Sequence, residues 1–449
     1  MESAITILDH LQFDAPTAEQ KIALLSMSDF VKESNADDFY ILCGAAGTGK
    51  TSITTALIGY LNSKAVNYKI TAPTGRAARI LGRKSKTVNS TLHSLIYNAK
   101  SNPESGEVTF ELKENPIKDF SVYIVDEASM VASIVSREQG SLFNSKNSLL
   151  SDLIQFVKSG NENNKIIFLG DKNQLPPVNE LDSMALSQVY LKSKFQLKGN
   201  AYLLTEVKRQ EDGSTILKNA IAIREGIESH AQKVNLIGTE KLSLTNASSS
   251  YVKEFLQNGF ENAVAIGATH KMNKMFNTIV REKIYGNNVK PLEKNDLLLV
   301  SNTWKRNEFQ LFSGDHVTIL EVELNDIEEV AGLHFVPVKL SSKTLQGSLE
   351  IIEDYILLES VLHPEGLTLE QENRLRHERF SKNKVYRESG NVSDDRYVGA
   401  IRATYGHSIT CNKAQGGEWN KVFLNSFYMP TLKYQYTAVT RAVETLVLF

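Results

Sequence analysis

The stretch GAAGTGKT, residues 44–51, limits what this chain can fold into more than any other. It fits the pattern G-x-x-x-x-G-K-[ST], in which successive backbone N–H groups curl into a nest for phosphate oxygens. Such a nest works between a strand and the first turn of a helix, where unpaired helix N–H groups add to it. Residues 39–42 (FYIL) supply the apolar strand, and a helical pattern follows Lys50. Gly44, Ala45, Ala46, Gly47, Thr48 and Gly49 would wrap the phosphates, with Ser52 in the first helical turn. Lys50 can reach the β- and γ-phosphates, and the Thr51 hydroxyl can ligate Mg²⁺.

The sequence has 449 residues, too many for one ordinary core, so several domains are expected. With 41% hydrophobic and 23% charged residues it reads as an ordinary globular chain. The formal net charge of −2 advertises no global basic field, although a local cationic groove is compatible with it. The two cysteines, Cys43 and Cys411, are far apart and lack metal-ligand spacing, which argues against a disulfide scaffold or zinc site. The opening residues carry acids early and no positive region ahead of an apolar core, and no apolar run approaches a membrane span. A cytoplasmic protein with no membrane partner is expected.

Residues 39–42 (FYIL), 69–72 (KITA), 122–125 (VYIV) and 166–169 (IIFL) read as buried strands, each followed by a polar loop and a plausible helix. That alternation predicts α/β architecture with a parallel sheet covered by helices. Residues 97–120 interrupt it; their Pro, Gly and Ser and the alternation Val108–Phe110–Leu112 predict an inserted β-hairpin. A second α/β region starts after about residue 209, with a strand at 263–268 and a helix at 270–285 ending at Gly286. Residues 287–398 change texture to short β segments followed by the charged stretch 368–388, which reads as a solvated helix. The expected domains are 1–209, then 210–286 with 399–449, and an insert at 287–398. Trp304 and Tyr386 in that insert are candidates for exposed aromatics, with a core role the favoured reading of each.

Two further clusters carry chemistry. Ile124-Val125-Asp126-Glu127 is an apolar strand ending in two acids. A parallel sheet would bring them to the edge that carries the phosphate loop. Asp126 then suits the Mg²⁺ shell, and Glu127 the orientation and deprotonation of an attacking water. In GDKNQLPP (170–177), after another strand, Gln174 on a Pro-stiffened loop is placed to sense a γ-phosphate; the same residues would also make a simple turn.

Seven segments occur in order: GAAGTGKT, TAPTGRAARIL (71–81), VDEASM (125–130), GDKNQLPPV (170–178), TEVKRQ (205–210), TYGHSITCNKAQGGEW (404–419) and YTAVTRA (436–442). Together they resemble the motif series of superfamily 1 helicases, and their wording is similar to the RecD-like and Dda-like branch, whose members move 5′ to 3′ on single-stranded DNA. The resemblance implies two RecA-like P-loop NTPase domains, a β-hairpin insert in the first, and a small β-barrel with a helical arm in the second. It also implies ATP as the nucleotide and a cleft between domains as its site. Position by position, Gln20 would read adenine, Arg209 and Arg441 would be arginine fingers, and Glu418 would lie near the ribose.

For nucleic acid, the resemblance implies contacts from Pro73, Thr74, Arg76 and His93 in the first domain. From the second it implies contacts from Thr404, His407, Ser408 and Lys413, with Gln415 near enough in sequence to couple both sites. Thr74 and Arg76 offer the hydroxyl and charge that phosphates favour. Phe110 lies in the hairpin, where it would either stack on a base at a strand-separating pin or pack the hairpin against the body. The implied partners are single-stranded DNA and single-strand/duplex junctions, engaged by a monomeric motor. An RNA-directed helicase and an ATPase that remodels without unwinding are the alternatives.

Overall fold

The computed structural model describes residues 6–12, 15–85, 90–101, 108–135, 146–207, 214–307, 309–343 and 348–449. The described residues divide into two compact units. One runs to Ser214 without Ala99–Phe110; the other takes Ala99–Phe110 and Thr215–Phe449.

The first unit contains β1 (Phe39–Gly44), β2 (Asn67–Ala72), β3 (Ser90–Thr91), β6 (Ser121–Val125), β7 (Lys165–Gly170) and β8 (Gly199–Leu204); β4 (Tyr97–Ser101) and β5 (Val108–Leu112), which pair with each other, are divided between the two units. The main sheet runs β3-β2-β6-β7-β1-β8, parallel at every pairing. All residues of β1, β6 and β7 are buried, as a parallel sheet covered on both faces requires. The helices Ala18–Phe30 and Lys50–Ser63 contribute Ala23, Leu24, Met27, Ile53, Leu57 and Leu61 to the core against Leu42 and Leu169. The four strands read from the sequence are all present. β8 was not anticipated: it is an edge strand with only its first and last residues buried, so it lacks an apolar run. β4 and β5 form the two strands of the expected hairpin insert, and the turn between them lies outside the described residues.

The second unit contains β9 (Glu240–Lys241), β10 (Ala263–Gly267), β11 (Leu297–Val300), β12 (Trp304–Arg306), β13 (Phe309–Leu311), β14 (His316–Val322), β15 (Glu328–Val330), β16 (Leu333–Lys343), β17 (Leu349–Leu357), β18 (Ala403–Tyr405), β19 (Ser408–Thr410), β20 (Trp419–Leu424) and β21 (Ala442–Leu448). A parallel sheet β19-β10-β20-β21-β9 is its α/β part. An antiparallel path joins β17, β16, β14, β11 and β18, and a bridge between Ile356 and Ile401 returns β17 to the segment entering β18. The path thereby closes into a small barrel around Leu298, Val317, Ile319, Val336, Leu340 and Ile352, leaving fewer unpaired strand edges. Trp304 and Tyr386 are core residues, as read from the sequence.

The charged stretch 368–388 departs from expectation. It forms the helices Leu369–Lys382 and Lys384–Ser389, but it is not solvated all round. Glu372, Leu375, Arg376 and Tyr386 are buried, and both oxygens of Glu372 accept from the Arg402 guanidinium. Long charged side chains hid this inner face, because burial of an acid is tolerated when a guanidinium meets it.

The helix His270–Tyr285 ends as expected at Gly286, whose φ of 93° suits the absence of a side chain. Near that end Arg281 fastens the parallel sheet's helix to the barrel. Its Nε and Nη2 each donate to Asp296 at 2.8 Å, ahead of β11, and its guanidinium lies 4.1 Å from the Tyr405 ring centroid in β18. Both partners are buried. Asp296→Ala leaves a buried cation unpaired and should destabilise this unit by about 3–5 kcal/mol. Both tryptophans, Trp304 and Trp419, lie in this unit, so intrinsic tryptophan fluorescence during urea unfolding measures the loss there directly.

Candidate nucleotide site and nucleic-acid contacts

Because the first unit's main sheet is parallel, every strand leaves it at one edge. The loops after β1 (Ala45), β2 (Pro73), β6 (Asp126), β7 (Asp171) and β8 (Thr205) therefore start from the same side. Ligands of open parallel sheets bind at this carboxyl edge.

The phosphate loop owes its shape to two glycines, Gly47 at φ 84° and Gly49 at φ 89°. Thr48, buried beneath it, donates through Oγ1 to Ala45 O at 2.9 Å. Lys50 Nζ donates to Gly44 O at 2.6 Å and Ala45 O at 3.0 Å, folded over its own loop. Gln20 is buried under this turn at 4% exposure. Its Oε1 accepts from Thr17 N at 3.0 Å, and its Nε2 donates to Thr48 O at 3.0 Å. Gln20 thus closes a capping box with Thr17 and braces the phosphate loop at once. The sequence alone gave no sign of that second duty.

Asp126 N extends the sheet by donating to Thr71 O at 2.9 Å, and Asp126 Oδ1 accepts from Glu127 N at 2.9 Å. Glu127 itself has φ 49° and ψ 39°. A left-handed backbone costs an L-residue roughly 1–2 kcal/mol, and such strain gathers at working sites. Gln174 is 3% exposed, and its Oε1 is buried without a hydrogen-bond partner. Such a buried acceptor has the capacity to take a hydrogen bond from a bound group. The fit to a triphosphate with Mg²⁺ is good: the glycine cradle would be blocked by side chains, and Thr51 and Asp126 offer hard oxygens. Among the described residues no cluster of three or more His, Cys, Asp or Glu could hold a metal ion.

Arg209 lies outside the described residues. Arg441 is 3% exposed and turned inward: Nε donates to Thr437 O at 3.0 Å, Nη1 to Gly417 O at 3.0 Å, and Nη2 to Thr440 Oγ1 at 3.2 Å. Its backbone O accepts from Trp419 N, so Arg441 and the loop bearing Glu418 are brought together. Gln415 is buried in the same segment.

Of the nucleic-acid candidates, Pro73, Thr74 and Arg76 lie at the β2 exit, where Thr74 Oγ1 accepts from Ala77 N at 3.2 Å and starts the helix Gly75–Ser85. His93, partly buried, has its pKa pushed down to about 4 by desolvation, so its ring is neutral at pH 7. It can exchange a hydrogen bond with a base or sugar but cannot ion-pair with phosphate. Phe110 is partly buried in β5. Thr404 stands in the barrel strand β18, opposite Leu299. Lys413 is partly buried and donates to Ser313 Oγ at 2.7 Å, a barrel contact with no sequence signal.

His407 and Ser408 require correction as surface contacts. His407 is 1% exposed, its ring 4.8 Å from Phe255 and 5.8 Å from Tyr251, with the Tyr251 hydroxyl 3.3 Å from Nδ1. Ser408 is buried between Asn273 and Asn277, donating to Oδ1 of each. Ser408 anchors β19 to the helix His270–Tyr285, and His407, just ahead of β19, packs on the helix Leu244–Asn258. A motif read as a linear string does not reveal which face of its strand turns inward.

Fold and site define a P-loop nucleotide-binding protein with two RecA-like α/β parts and an antiparallel accessory barrel. Residues 28–239 match the AAA domain model, and residues 405–449 match the UvrD-like helicase C-terminal domain model. The ATP-dependent DNA helicase dda of Enterobacteria phage T4 is 29% identical over 287 residues, covering 61% of this chain and 58% of that protein. The ATP-dependent RecD2 DNA helicase of Deinococcus radiodurans is 29% identical over 187 residues, covering 41% of this chain but 22% of its own length. This chain therefore spans only part of the curated relatives. In fold it is similar to the Pif1 helicase of Bacteroides, solved with ADP-AlF3 and ssDNA (TM-score 0.52, 15% identity, 97% of this chain and 92% of the other). The Pif1 helicase of Candida albicans has the same fold at a TM-score of 0.51 and 17% identity, covering 97% of this chain and 94% of the other. In sequence the chain is thus similar to helicases of the Dda and RecD type, and in fold to the Pif1 helicases.

Two outcomes follow from this geometry. A Cβ at Gly49 would lie 2.5 Å from Gln20 Nε2 at a φ of +89°, so Gly49→Ala should weaken binding of a fluorescent ATP analogue about tenfold or more. His407 has its pKa lowered from 6.5 to about 3 by burial, and Arg281 nearby adds to the effect. The folded state then binds fewer protons than the unfolded one between those values, so stability is lost as pH falls from 6.5 towards 3. Denaturant midpoints across pH 7 to 4 should show the decline, and His407→Phe should flatten it.

Proposed function

We propose that this protein is an ATP-dependent DNA helicase that moves 5′ to 3′ along single-stranded DNA and unwinds duplex at single-strand/duplex junctions. The observation that carries this reading is the convergence of Lys50, Asp126, Glu127 and Gln174 on one carboxyl edge, with Glu127 held in a strained backbone. The names of the phage T4 and Deinococcus relatives support DNA as substrate, and the ssDNA-bound Bacteroides protein supports a single strand.

Lys50 exchanges its two loop carbonyls for β- and γ-phosphate oxygens. Glu127 orients the attacking water and takes its proton, and Gln174 brings its unpaired Oε1 to the γ-phosphate end of the site. Thr51 and Asp126 would hold Mg²⁺, which neutralises developing phosphate charge when bound. Gln20 keeps the loop in register and has hydrogen-bonding capacity left for adenine, and Glu418 would serve the ribose. Arg209 and Arg441 act as arginine fingers. For Arg441 this role requires its guanidinium to trade present carbonyl partners for phosphate oxygens.

Thr74 and Arg76 grip the DNA backbone, and neutral His93 meets a sugar or base. Thr404 and Lys413 supply the second unit's contacts over the interior support of His407 and Ser408. Phe110 stacks at the strand-separating hairpin. Such grips are independent of sequence, as a motor requires. The protein works as a monomer in the cytoplasm; among the described residues no helix is long and apolar enough to cross a membrane.

Strand displacement on duplexes with a 5′ or a 3′ single-stranded tail tests the proposal. Unwinding of the 5′-tailed duplex with DNA-stimulated ATP hydrolysis is expected, and Lys50→Ala should cut hydrolysis by roughly 100-fold or more. Stronger stimulation by RNA would redirect the reading to an RNA motor. Stimulated hydrolysis without displacement would make the protein a translocase or remodeller.

A further inference from the structure

Glu19 and Gln20 sit side by side at the start of the helix Ala18–Phe30 and hold two different loops. Gln20 donates to Thr48 O of the phosphate loop. The Glu19 carboxylate collects three donors just past the end of β8. Oε2 accepts from Thr205 N at 2.7 Å and Glu206 N at 3.1 Å, and Oε1 accepts from Thr205 Oγ1 at 2.6 Å.

β8 is the edge strand of its sheet, paired on one side with β1 alone. Its last residue, Leu204, is buried, but Leu203, Thr205 and Glu206 are exposed, so little apolar contact directs the chain beyond it. Past the ladder's end two backbone N–H groups need new acceptors. A single carboxylate that takes both, plus a hydroxyl, fixes the direction in which the chain leaves the sheet. The Thr205 side-chain hydrogen bond, with those from the Thr205 and Glu206 backbones, holds the Glu19 carboxyl below the usual range, so it is ionised at neutral pH. Solvent-accessible bonds of this kind contribute little to global stability, which makes a directional role the more economical account.

We propose that Glu19 is a positioning residue for ATP turnover: it sets the departure of the β8 exit loop relative to the phosphate loop, with the helix's first turn as the common strut. In sequence, Arg209 follows four residues beyond Thr205. This rests on the ATPase reading above. The neighbours divide the work: Gln20 secures the phosphate loop, and Glu19 secures the chain as it leaves β8.

The test uses the full chain with saturating oligo-dT, measuring steady-state ATP hydrolysis and, separately, binding of a fluorescent ATP analogue. Glu19→Ala should lower kcat about tenfold while KM and analogue affinity stay within about twofold, the pattern of a group that acts at the transition state. Glu19→Gln, which keeps one acceptor oxygen, should recover part of kcat. Thr205→Val should lower kcat by a smaller factor and add little to Glu19→Ala, because both remove the same contact. A kcat within about twofold of wild type in Glu19→Ala, or affinity falling in step with kcat, overturns the assignment. If Glu19→Ala does not fold, Thr205→Val reads the contact through a surface hydroxyl, and unchanged kcat there overturns it. Failure of the underlying reading is distinct: wild-type protein would then show no DNA-stimulated hydrolysis.

Discussion

Parallel pairing of β1 with β7, and of β7 with β6, is the constraint on which the nucleotide site depends. Parallel strands cannot be joined by tight turns, so each must be followed by a long crossover, and each leaves the sheet at the same edge. The register places Cys43 opposite Gly170 and Val125 opposite Phe168. That alignment sets the heights at which the phosphate loop, Asp126 and Asp171 emerge. A slip of one residue would displace a loop by about 3.3 Å, more than a hydrogen bond tolerates. The apolar strands are therefore the ruler that measures out the site.

On that ruler, short polar contacts shape each loop. Two left-handed glycines bend the phosphate loop, Gln20 supports it from below, and Glu127 holds a conformation its own side chain disfavours. Strain of this sort persists only where surrounding structure over-determines it. In the second unit the corresponding task is to keep barrel and parallel sheet together. The Arg281–Asp296 pair, the Tyr405 ring, and the bonds of Asn273 and Asn277 to Ser408 do so through one helix. The segment 404–408 therefore belongs to the barrel at one end and to the parallel sheet at the other.

Much of the fold was legible where local pattern and burial agree. Four apolar runs became four interior strands, and Gly286 ended its helix where only a residue without a side chain fits easily. β8 escaped notice because an edge strand needs no continuous apolar run. The helix Leu369–Lys382 passed for solvated because its buried Glu372 and Arg376 look like surface charges until Arg402 is placed beside Glu372. The shared edge from which Lys50, Asp126, Glu127 and Gln174 start was legible because each follows a buried strand. Glu19 and Ser313 were not, since each acts on a partner 186 or 100 residues away.

The sequence by itself determined that a phosphate-binding loop, paired acids and a glutamine loop each follow a buried strand, because local order dictates strand, turn and helix. Only the tertiary structure decided which side chains face the working edge and which face the interior. His407 turned inward onto Tyr251 and Phe255, and Arg441 onto the carbonyls of Thr437 and Gly417, partners that their motifs do not encode. Glu19 turned towards β8 because an edge strand's last N–H groups lack a ladder partner, a deficit that exists only once the sheet has formed.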